Sequence, residues 1–209
     1  MIDIESLKIV EDVSWEEAID ICRAYGRVEN EINLDKVTVS ETSTIPNQEW
    51  HQDGSHIEEF PKYAALWCEE AEENCPSTQY ISTRIPVDFA EQLKDVTANL
   101  DFKKVMDENK FFKFKNKLEE RFYRINAYHE KRNIVAQDSY GYYLKWCPFS
   151  VIDKDIHEML CDYILSRPYY TVKWKSRQLA IYQNHATLHR RTPYENADGH
   201  RIIRRLYIH

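Results

Sequence analysis

Two potential metal ligands, His51 and Asp53, stand two residues apart in the sequence, and a lone histidine, His189, follows far downstream. In a β-strand, residues two apart project from the same face, so His51 and Asp53 can bind one metal ion together. Two imidazoles and one carboxylate form the facial triad that holds non-haem Fe(II) and leaves positions open for a co-substrate and dioxygen. This triad constrains the fold, because the third ligand must come from a distant part of the chain.

Several histidines compete with His189 for the role of third ligand. They are His56, His129, His157, His185, His200 and His209. We favour His189 because it precedes an arginine-rich segment that is predicted to form a strand. Arg201, Ile203 and Arg205 share one face of that strand, and Ile202 and Arg204 share the other. A buried arginine beside an Fe(II) site needs an anionic partner, and a dicarboxylate co-substrate would provide it.

Three segments have the pattern of helices. Ser14 begins a capping box and an amphipathic pattern that Gly26 ends. Asp153 begins a second pattern that Arg167-Pro168 ends. The segment from Pro86 to Leu100 is predicted as a third, shorter helix.

Strands are predicted where short runs are rich in aromatic or β-branched residues. These runs are Tyr63 to Cys68, Thr78 to Thr83, Tyr169 to Trp174, Leu179 to Tyr182 and Ile202 to Ile208. The order of helices and strands indicates an α+β domain built on a β-sandwich or barrel. Residues 101–145 show no clean period and are left unassigned, as a long insertion of the kind that often covers an active site.

Length and charge limit the class of protein. A chain of 209 residues without a linker-like stretch predicts one domain over residues 1–209. No secretory signal or membrane-spanning run is evident, so we expect a cytoplasmic protein without membrane contact. A net charge of -7 disfavours nucleic acid as a partner and favours a small molecule. The oligomeric state is left open.

The motifs resemble the TauD/TfdA (taurine dioxygenase-like) family of Fe(II)/2-oxoglutarate-dependent oxygenases, from about Glu49 to the C-terminus. Trp50-His51-Gln52-Asp53 matches the family's WHxD motif, and residues 182–189 match the segment that supplies the third iron ligand. The resemblance implies a double-stranded β-helix (jelly-roll) core with flanking helices and a long insertion. It also implies that His51, Asp53 and His189 bind the iron and form the catalytic centre.

The resemblance further implies how the 2-oxoglutarate co-substrate is held. Its distal carboxylate would pair with Arg205 and hydrogen-bond Thr78, which follows a turn where Pro76-Ser77 replaces the family's Gly-Gly. Arg204 leaves the arginine assignment open by one residue. Arg201 shares the predicted face of Arg205 and is grouped with the co-substrate residues.

The implied activity is hydroxylation of an unactivated C–H bond of a small molecule, an amino acid or a small organic acid. The reaction would consume O2 and release succinate and CO2. The retained Asp53 favours hydroxylation, desaturation or dealkylation over halogenation, which needs a small residue at that position. The alternatives are an oxygenase acting on a nucleic-acid base or a peptide side chain, a non-catalytic barrel that only binds, and a hydrolytic zinc site. A basic stretch with interleaved phenylalanines, 103–117, is the feature that could contact phosphate in the first of these alternatives, but we favour a solvated insertion or helix face for it.

Candidate substrate contacts are inferred from their places beside the ligands. They are Ser55, Asn184 and Arg191. An anionic substrate would need a cation, and the candidates are Arg190, Arg191 and Arg201. A cationic substrate would need acids, and the candidates are Asp138, Glu58 and Glu59. Asn184 and Gln183 are also candidates for hydrogen bonds that orient the ligand histidines.

Overall fold

The central strands of the chain read as nearly continuous apolar runs, the pattern of strands that are covered on both faces. The computed structural model describes residues 7–29, 50–55, 60–100, 131–145, 150–192 and 199–209. In these residues most of the regular structure is strand, with three α-helices. Among the same residues, every helix falls short of the length and hydrophobicity that a membrane crossing requires.

The elements follow one another in a fixed order. In chain order, the strands are β1 (Leu7–Val10), β2 (Val28–Glu29), β3 (Tyr63–Ala71), β4 (Thr78–Ser82), β5 (Arg84–Ile85), β6 (Thr97–Leu100), β7 (Lys131–Asn133), β8 (Val135–Asp138), β9 (Gly141–Leu144), β10 (Ser150–Val151), β11 (Tyr170–Val172), β12 (Gln178–Tyr182), β13 (Thr187–Arg191) and β14 (Arg201–Ile208). The helices are α1 (Trp15–Arg23), α2 (Val87–Leu93) and α3 (Lys154–Leu165).

Two sheets form the core of the domain. The larger has the strand order β1-β12-β3-β14-β2, and the smaller has the order β11-β4-β13. All pairings in both sheets are antiparallel. Strands distant in sequence are therefore neighbours in space, as expected for a jelly roll. The predicted α+β class and double-stranded β-helix core are confirmed.

Apolar side chains pack in three layers. The interior layer lies between the sheets and includes Leu66, Tyr80, Trp174, Tyr182 and Tyr207. Helix α1 covers the outer face of the larger sheet through Ala18 and Cys22. Helix α3 covers the outer face of the smaller sheet through Leu160 and Ile164. With both sheet faces covered, alternate residues of each strand are directed either to the interior or to a helix.

The helix termini follow the predicted capping signals. Ser14 and Glu17 form the complete capping box at the start of α1, and the Asp153 carboxylate caps α3. The third predicted helix was too long. Helix α2 ends at Leu93, and Thr97 to Leu100 instead forms β6, which pairs with β7 and β10. Pairing with strands distant in sequence overrides local helical periodicity, and short-range patterns do not contain that information.

The unassigned segment 101–145 is only partly described. Its last part forms β7, β8 and β9, of which β8 and β9 make a hairpin that extends to β5. The basic stretch 103–117 lies outside the described residues.

Gly26 offers a test of the close backbone contact between the loop after α1 and the end of strand β14. Its φ is +154°, and a Cβ at this position would lie 2.3 Å from the carbonyl oxygen of His209, the residue after β14. We expect Gly26→Ala to lower the free energy of unfolding by about 2–4 kcal/mol, from strain and a backbone clash. Gly141→Ala is the control, because its φ is +118° but a Cβ there meets no described atom within 4 Å. Chemical denaturation of both variants should show the larger loss for Gly26→Ala, and equal losses would contradict the contact.

Candidate metal and co-substrate site

The HxD motif and the distal histidine meet through the backbone. The His51 N–H donates to the His189 carbonyl at 3.1 Å, and the His189 N–H donates to the His51 carbonyl at 2.9 Å. His51 is thus a one-residue extension of the smaller sheet beyond β13. Directly opposed residues of antiparallel strands project to the same face, so both imidazoles point inward.

The three predicted ligands form one cluster. Asp53 Oδ1 lies 3.9 Å from His51 Nε2, and Asp53 Oδ2 lies 3.6 Å from His189 Nε2. The two imidazole rings are 4.2 Å apart. One potential ligand atom from each residue lies within 4.8 Å of the others. Among the described residues, this is the group of acids, histidines and cysteines with the arrangement of a metal site.

The protonation states suit a metal ion. Burial would raise the pKa of Asp53, but Arg205, the two imidazoles and a hydrogen bond from Tyr182 together hold it below its usual range. Burial and the neighbouring His51 lower the pKa of His189 to about 3. A carboxylate and a neutral imidazole are the forms that bind a metal. His189 Nδ1 is buried without a hydrogen-bond partner among the described residues, and the donor set fits Fe(II).

Two residues that flank the distal motif hold Asp53 in place. The Asn184 side chain accepts from the Asp53 N–H at 2.9 Å and donates to the Asp53 carbonyl at 2.7 Å. Its amide also donates to the Pro61 carbonyl at 3.0 Å. The Tyr182 hydroxyl donates to Asp53 Oδ2 at 2.7 Å. Asn184 is fully buried, and its side-chain hydrogen bonds go to Asp53 and Pro61.

The middle residue of the HxD motif is a second anchor. Gln52 is buried, and its amide donates to the carbonyls of His185 and Leu144, at 2.8 Å and 3.1 Å. Ser55 follows in the turn, and its carbonyl accepts from Arg132 at 3.1 Å. The loop that follows His51 is therefore hydrogen-bonded to three other parts of the chain, at Arg132, Leu144 and His185.

A second cluster joins the two sheets. Arg201 on β14 donates to Thr78 Oγ1 at 3.1 Å and to the Pro76 carbonyl. Trp174 Nε1 donates to the same Thr78 oxygen at 2.9 Å, and its ring lies 5.7 Å from the Arg201 guanidinium. The guanidinium is buried against polar partners from the opposite sheet, in the manner of a preformed anion site.

The structure gives Arg205 a different partner from the predicted one. Its guanidinium forms an ion pair with Asp53 Oδ1, whereas Thr78 contacts Arg201. The resemblance implies Arg205 as the partner of Thr78 at the co-substrate, whereas the arginine in contact with Thr78 is Arg201, four residues earlier on β14. Both arginines share the interior face, because the bulge in the pairing of β14 with β3 falls on β3 and preserves the alternation of β14. Arg204 faces outward and pairs with Glu69 at 2.7 Å.

The remaining arginines after His189 divide between the faces of β13. Arg191 is opposite Thr78 in the register of β4 and β13, on the inward face. Arg190 is opposite Gln79, donates to its amide oxygen at 2.8 Å and lies over the Trp50 ring. Of these two candidates for an anion, Arg191 therefore lies on the side of the metal site.

The competing histidines that the structure describes have other neighbours. His185 stacks on Phe60 and Tyr143, and His200 pairs with Glu72. His157 and His209 lie near Cys161 and Glu29 respectively. Asp138, a candidate for a cationic substrate, makes a bidentate ion pair with Arg84 at 2.6 and 2.8 Å. His56, His129, Glu58 and Glu59 lie outside the described residues.

A groove of about 860 Å³ opens elsewhere on the domain. Its lining includes Arg84, Tyr142, Arg167 and Gln183, and none of the three metal ligands.

Comparison with known proteins agrees with this geometry. A family model described as taurine catabolism dioxygenase TauD, TfdA family, matches residues 11–207. The chain belongs to this family and is an Fe(II)/2-oxoglutarate-dependent dioxygenase. No curated protein matches the sequence.

Solved structures with the same fold are distant in sequence. AAD-2 in complex with Mn(II) and N-oxalylglycine has a TM-score of 0.70 and 15% identity, over 97% of this chain and 82% of that one. A Burkholderia xenovorans protein assigned as an alpha-ketoglutarate-dependent 2,4-D dioxygenase has a TM-score of 0.71 and 13% identity, over 97% and 82%. OrfP in complex with Fe, succinate and (3R,4R)-dihydroxy-L-Arg has a TM-score of 0.56 and 14% identity, over 78% and 52%. At such identities the likeness establishes the double-stranded β-helix fold.

Asn184 gives a test of the scaffold around Asp53. We expect Asn184→Ala to weaken metal binding about 10- to 100-fold, since outer hydrogen bonds of this kind orient the ligand. The variant should also lose about 2–3 kcal/mol of stability, because buried backbone groups of Asp53 lose their partners. A Mn(II) titration that follows the electron paramagnetic resonance signal of the free ion measures the metal affinity, and thermal melting measures the stability. Gln183→Ala is the control, since this neighbour contacts Arg84 and Asp138 instead, and a matching loss of metal affinity there would refute the role of Asn184.

Proposed function

We propose that this dioxygenase hydroxylates an unactivated C–H bond of a small molecule that carries an anionic group, an amino acid or a small organic acid. The observation that carries the proposal is a His-Asp-His cluster whose Asp53 and His189 are buried, beside two arginines on the interior face of β14. Arg205 contacts the Asp53 carboxylate and Arg201 contacts Thr78. One arginine serves the co-substrate and the other serves the substrate.

We assign Arg201 and Thr78 to the distal carboxylate of 2-oxoglutarate. Both side chains are buried and hydrogen-bonded to each other, and Trp174 fixes the threonine oxygen. A planar guanidinium beside a hydroxyl suits a carboxylate, which accepts two parallel N–H bonds. The proposal transfers to Arg201 the role that the family resemblance gave to Arg205.

We assign Arg205 to the anionic group of the substrate. Its guanidinium touches the carboxylate of the metal ligand Asp53 and retains an exposed side-chain fraction of 27%. With Asp53 engaged as a metal ligand, this cation favours another anion beside the metal. Arg191 lies on the same inward side and adds positive potential there.

The residues of this chain bind the metal ion, orient its ligands and exclude water from the reacting groups. His51, Asp53 and His189 hold the iron, and Tyr182 and Asn184 keep the Asp53 carboxylate in position. When bound, iron and the co-substrate supply the oxidation, in which 2-oxoglutarate, O2 and R–H become succinate, CO2 and R–OH. The apolar interior between the sheets, which includes Leu66 and Tyr207, keeps water from the reacting groups. The retained Asp53 favours hydroxyl transfer over halogenation.

The co-substrate assignment predicts a specific spectroscopic result. Anaerobic Fe(II) and 2-oxoglutarate should give the weak visible charge-transfer band of the chelate in the wild type, and Asp53→Ala should weaken or abolish it. Arg201→Gln should need about 10- to 100-fold more 2-oxoglutarate for half of the band, the effect of losing a charge-assisted pair. Arg204→Gln is the matched control, because this neighbour faces Glu69 on the outside. Absence of the band in folded, iron-loaded wild type would refute the proposed chemistry.

The substrate assignment predicts a separate effect of Arg205. Small carboxylates, sulfonates and amino acids are screened for those that accelerate succinate release by the wild type. Arg205→Gln should retain the band with 2-oxoglutarate and lose most of the acceleration by an anionic substrate, with a rise in its KM of at least about tenfold. Acceleration only by neutral or cationic compounds would refute an anionic substrate and leave the co-substrate assignment in place.

A further inference from the structure

The hydroxyl of Tyr80 is a buried donor without a described partner. Tyr80 lies on β4 and is 3% exposed, and its oxygen has no hydrogen-bond partner among the residues that the structure describes. A buried polar group in this state costs free energy comparable to a lost hydrogen bond. Such groups in native proteins are commonly satisfied by a bound molecule or an ordered water.

The position of Tyr80 connects the two halves of the site. It is directly opposite His189 in the register of β4 and β13, and it stands two residues from Thr78 on the same inward face. Its ring centroid lies 6.1 Å from that of His189 and 5.2 Å from that of Tyr182. A two-residue step along a strand is about 6.6 Å, so the tyrosine is level with the metal ligand His189 and one such step from Thr78.

The charges around the phenol agree with this placement. Burial raises its pKa strongly, Arg201 acts to lower it, and Asp53 acts to raise it. Arg201 contacts Thr78, and Asp53 is one of the potential metal ligands. A phenol that remains protonated can donate its hydrogen to an anion.

We propose that the Tyr80 hydroxyl donates a hydrogen bond to 2-oxoglutarate bound between the metal ligands and Arg201. The inference rests on the proposed function, and it adds a co-substrate contact to those of Arg201 and Thr78. A dicarboxylate with one end at the metal and the other at Arg201 must pass the face of the sheet from which Tyr80 projects. Phenylalanine differs from tyrosine only in lacking the hydroxyl group, so Tyr80→Phe isolates the contribution of that hydrogen bond.

The test is Tyr80→Phe, which removes one oxygen from the site. The hydroxyl loses no described protein partner, so the metal-free variant should melt at the wild-type temperature or above. Its affinity for Mn(II) alone should equal that of the wild type. Its affinity for 2-oxoglutarate, measured by the anaerobic Fe(II) band and by the rise in melting temperature with Mn(II) present, should fall about tenfold.

Tyr182→Phe is the matched control, because it removes a hydroxyl from the neighbouring ring. That hydroxyl donates to Asp53 Oδ2, so its loss should lower the melting temperature of the metal-free protein and weaken Mn(II) binding. If the inference holds, Tyr80→Phe lowers the affinity for 2-oxoglutarate alone, whereas Tyr182→Phe lowers the melting temperature and the affinity for Mn(II).

Two results would overturn the inference while leaving the proposed function intact. In both, Tyr80→Phe keeps the wild-type affinity for 2-oxoglutarate. In the first the variant only melts at a lower temperature, because the hydroxyl is structural, and in the second it only has a raised KM for the substrate. A wild type that shows neither the band nor a shift with 2-oxoglutarate would overturn the inference together with the proposed function.

Discussion

The reciprocal pair of backbone hydrogen bonds between His51 and His189 is the constraint on which the site depends. It makes His51 a continuation of the smaller sheet, with Asp53 in the turn that follows, so the register of β13 determines which side chains meet at the metal site. A slip of one residue would turn His189 outward and bring Leu188 or Arg190 inward. Outer-face packing opposes that slip, because Leu188 is fully buried against the layer that α3 covers.

The site also depends on how the two sheets are placed against each other. His189 and His51 belong to the smaller sheet and its extension, and Asp53 to the turn that follows, whereas Arg201 and Arg205 belong to β14 of the larger sheet. The contacts of Arg201 with Thr78 and of Arg205 with Asp53 both cross the interior. Interior packing by residues such as Tyr182 and Tyr207 therefore fixes the distance between cations and metal ligands. The site requires both sheets to be assembled in register.

Much of the fold and the ligand set could be predicted from the sequence, since the strands, two helix caps and the HxD spacing are local patterns. The partner of Thr78 could not, because it depends on how β14 lies across from β4. Alternation from Thr78 places Tyr80 on the inward face, but its position opposite His189 depends on the register of β4 against β13. The sequence predicts Tyr182 as a strand residue, and only the fold directs its hydroxyl to Asp53. The error over 86–100 has the same origin, since β6 exists through pairing with distant strands.

The register of β4 against β13 has a consequence for co-substrate selectivity. Thr78 is opposite Arg191, and Tyr80, the next inward residue, is opposite His189. The anion end and the metal end of the site are thus separated by one pleat repeat of the backbone, about 6.6 Å. Side-chain substitutions change the affinity at either end, but they leave this separation unaltered. With the contacts proposed at the two ends, a preference for a five-carbon 2-oxo acid over shorter homologues would follow from β-strand geometry.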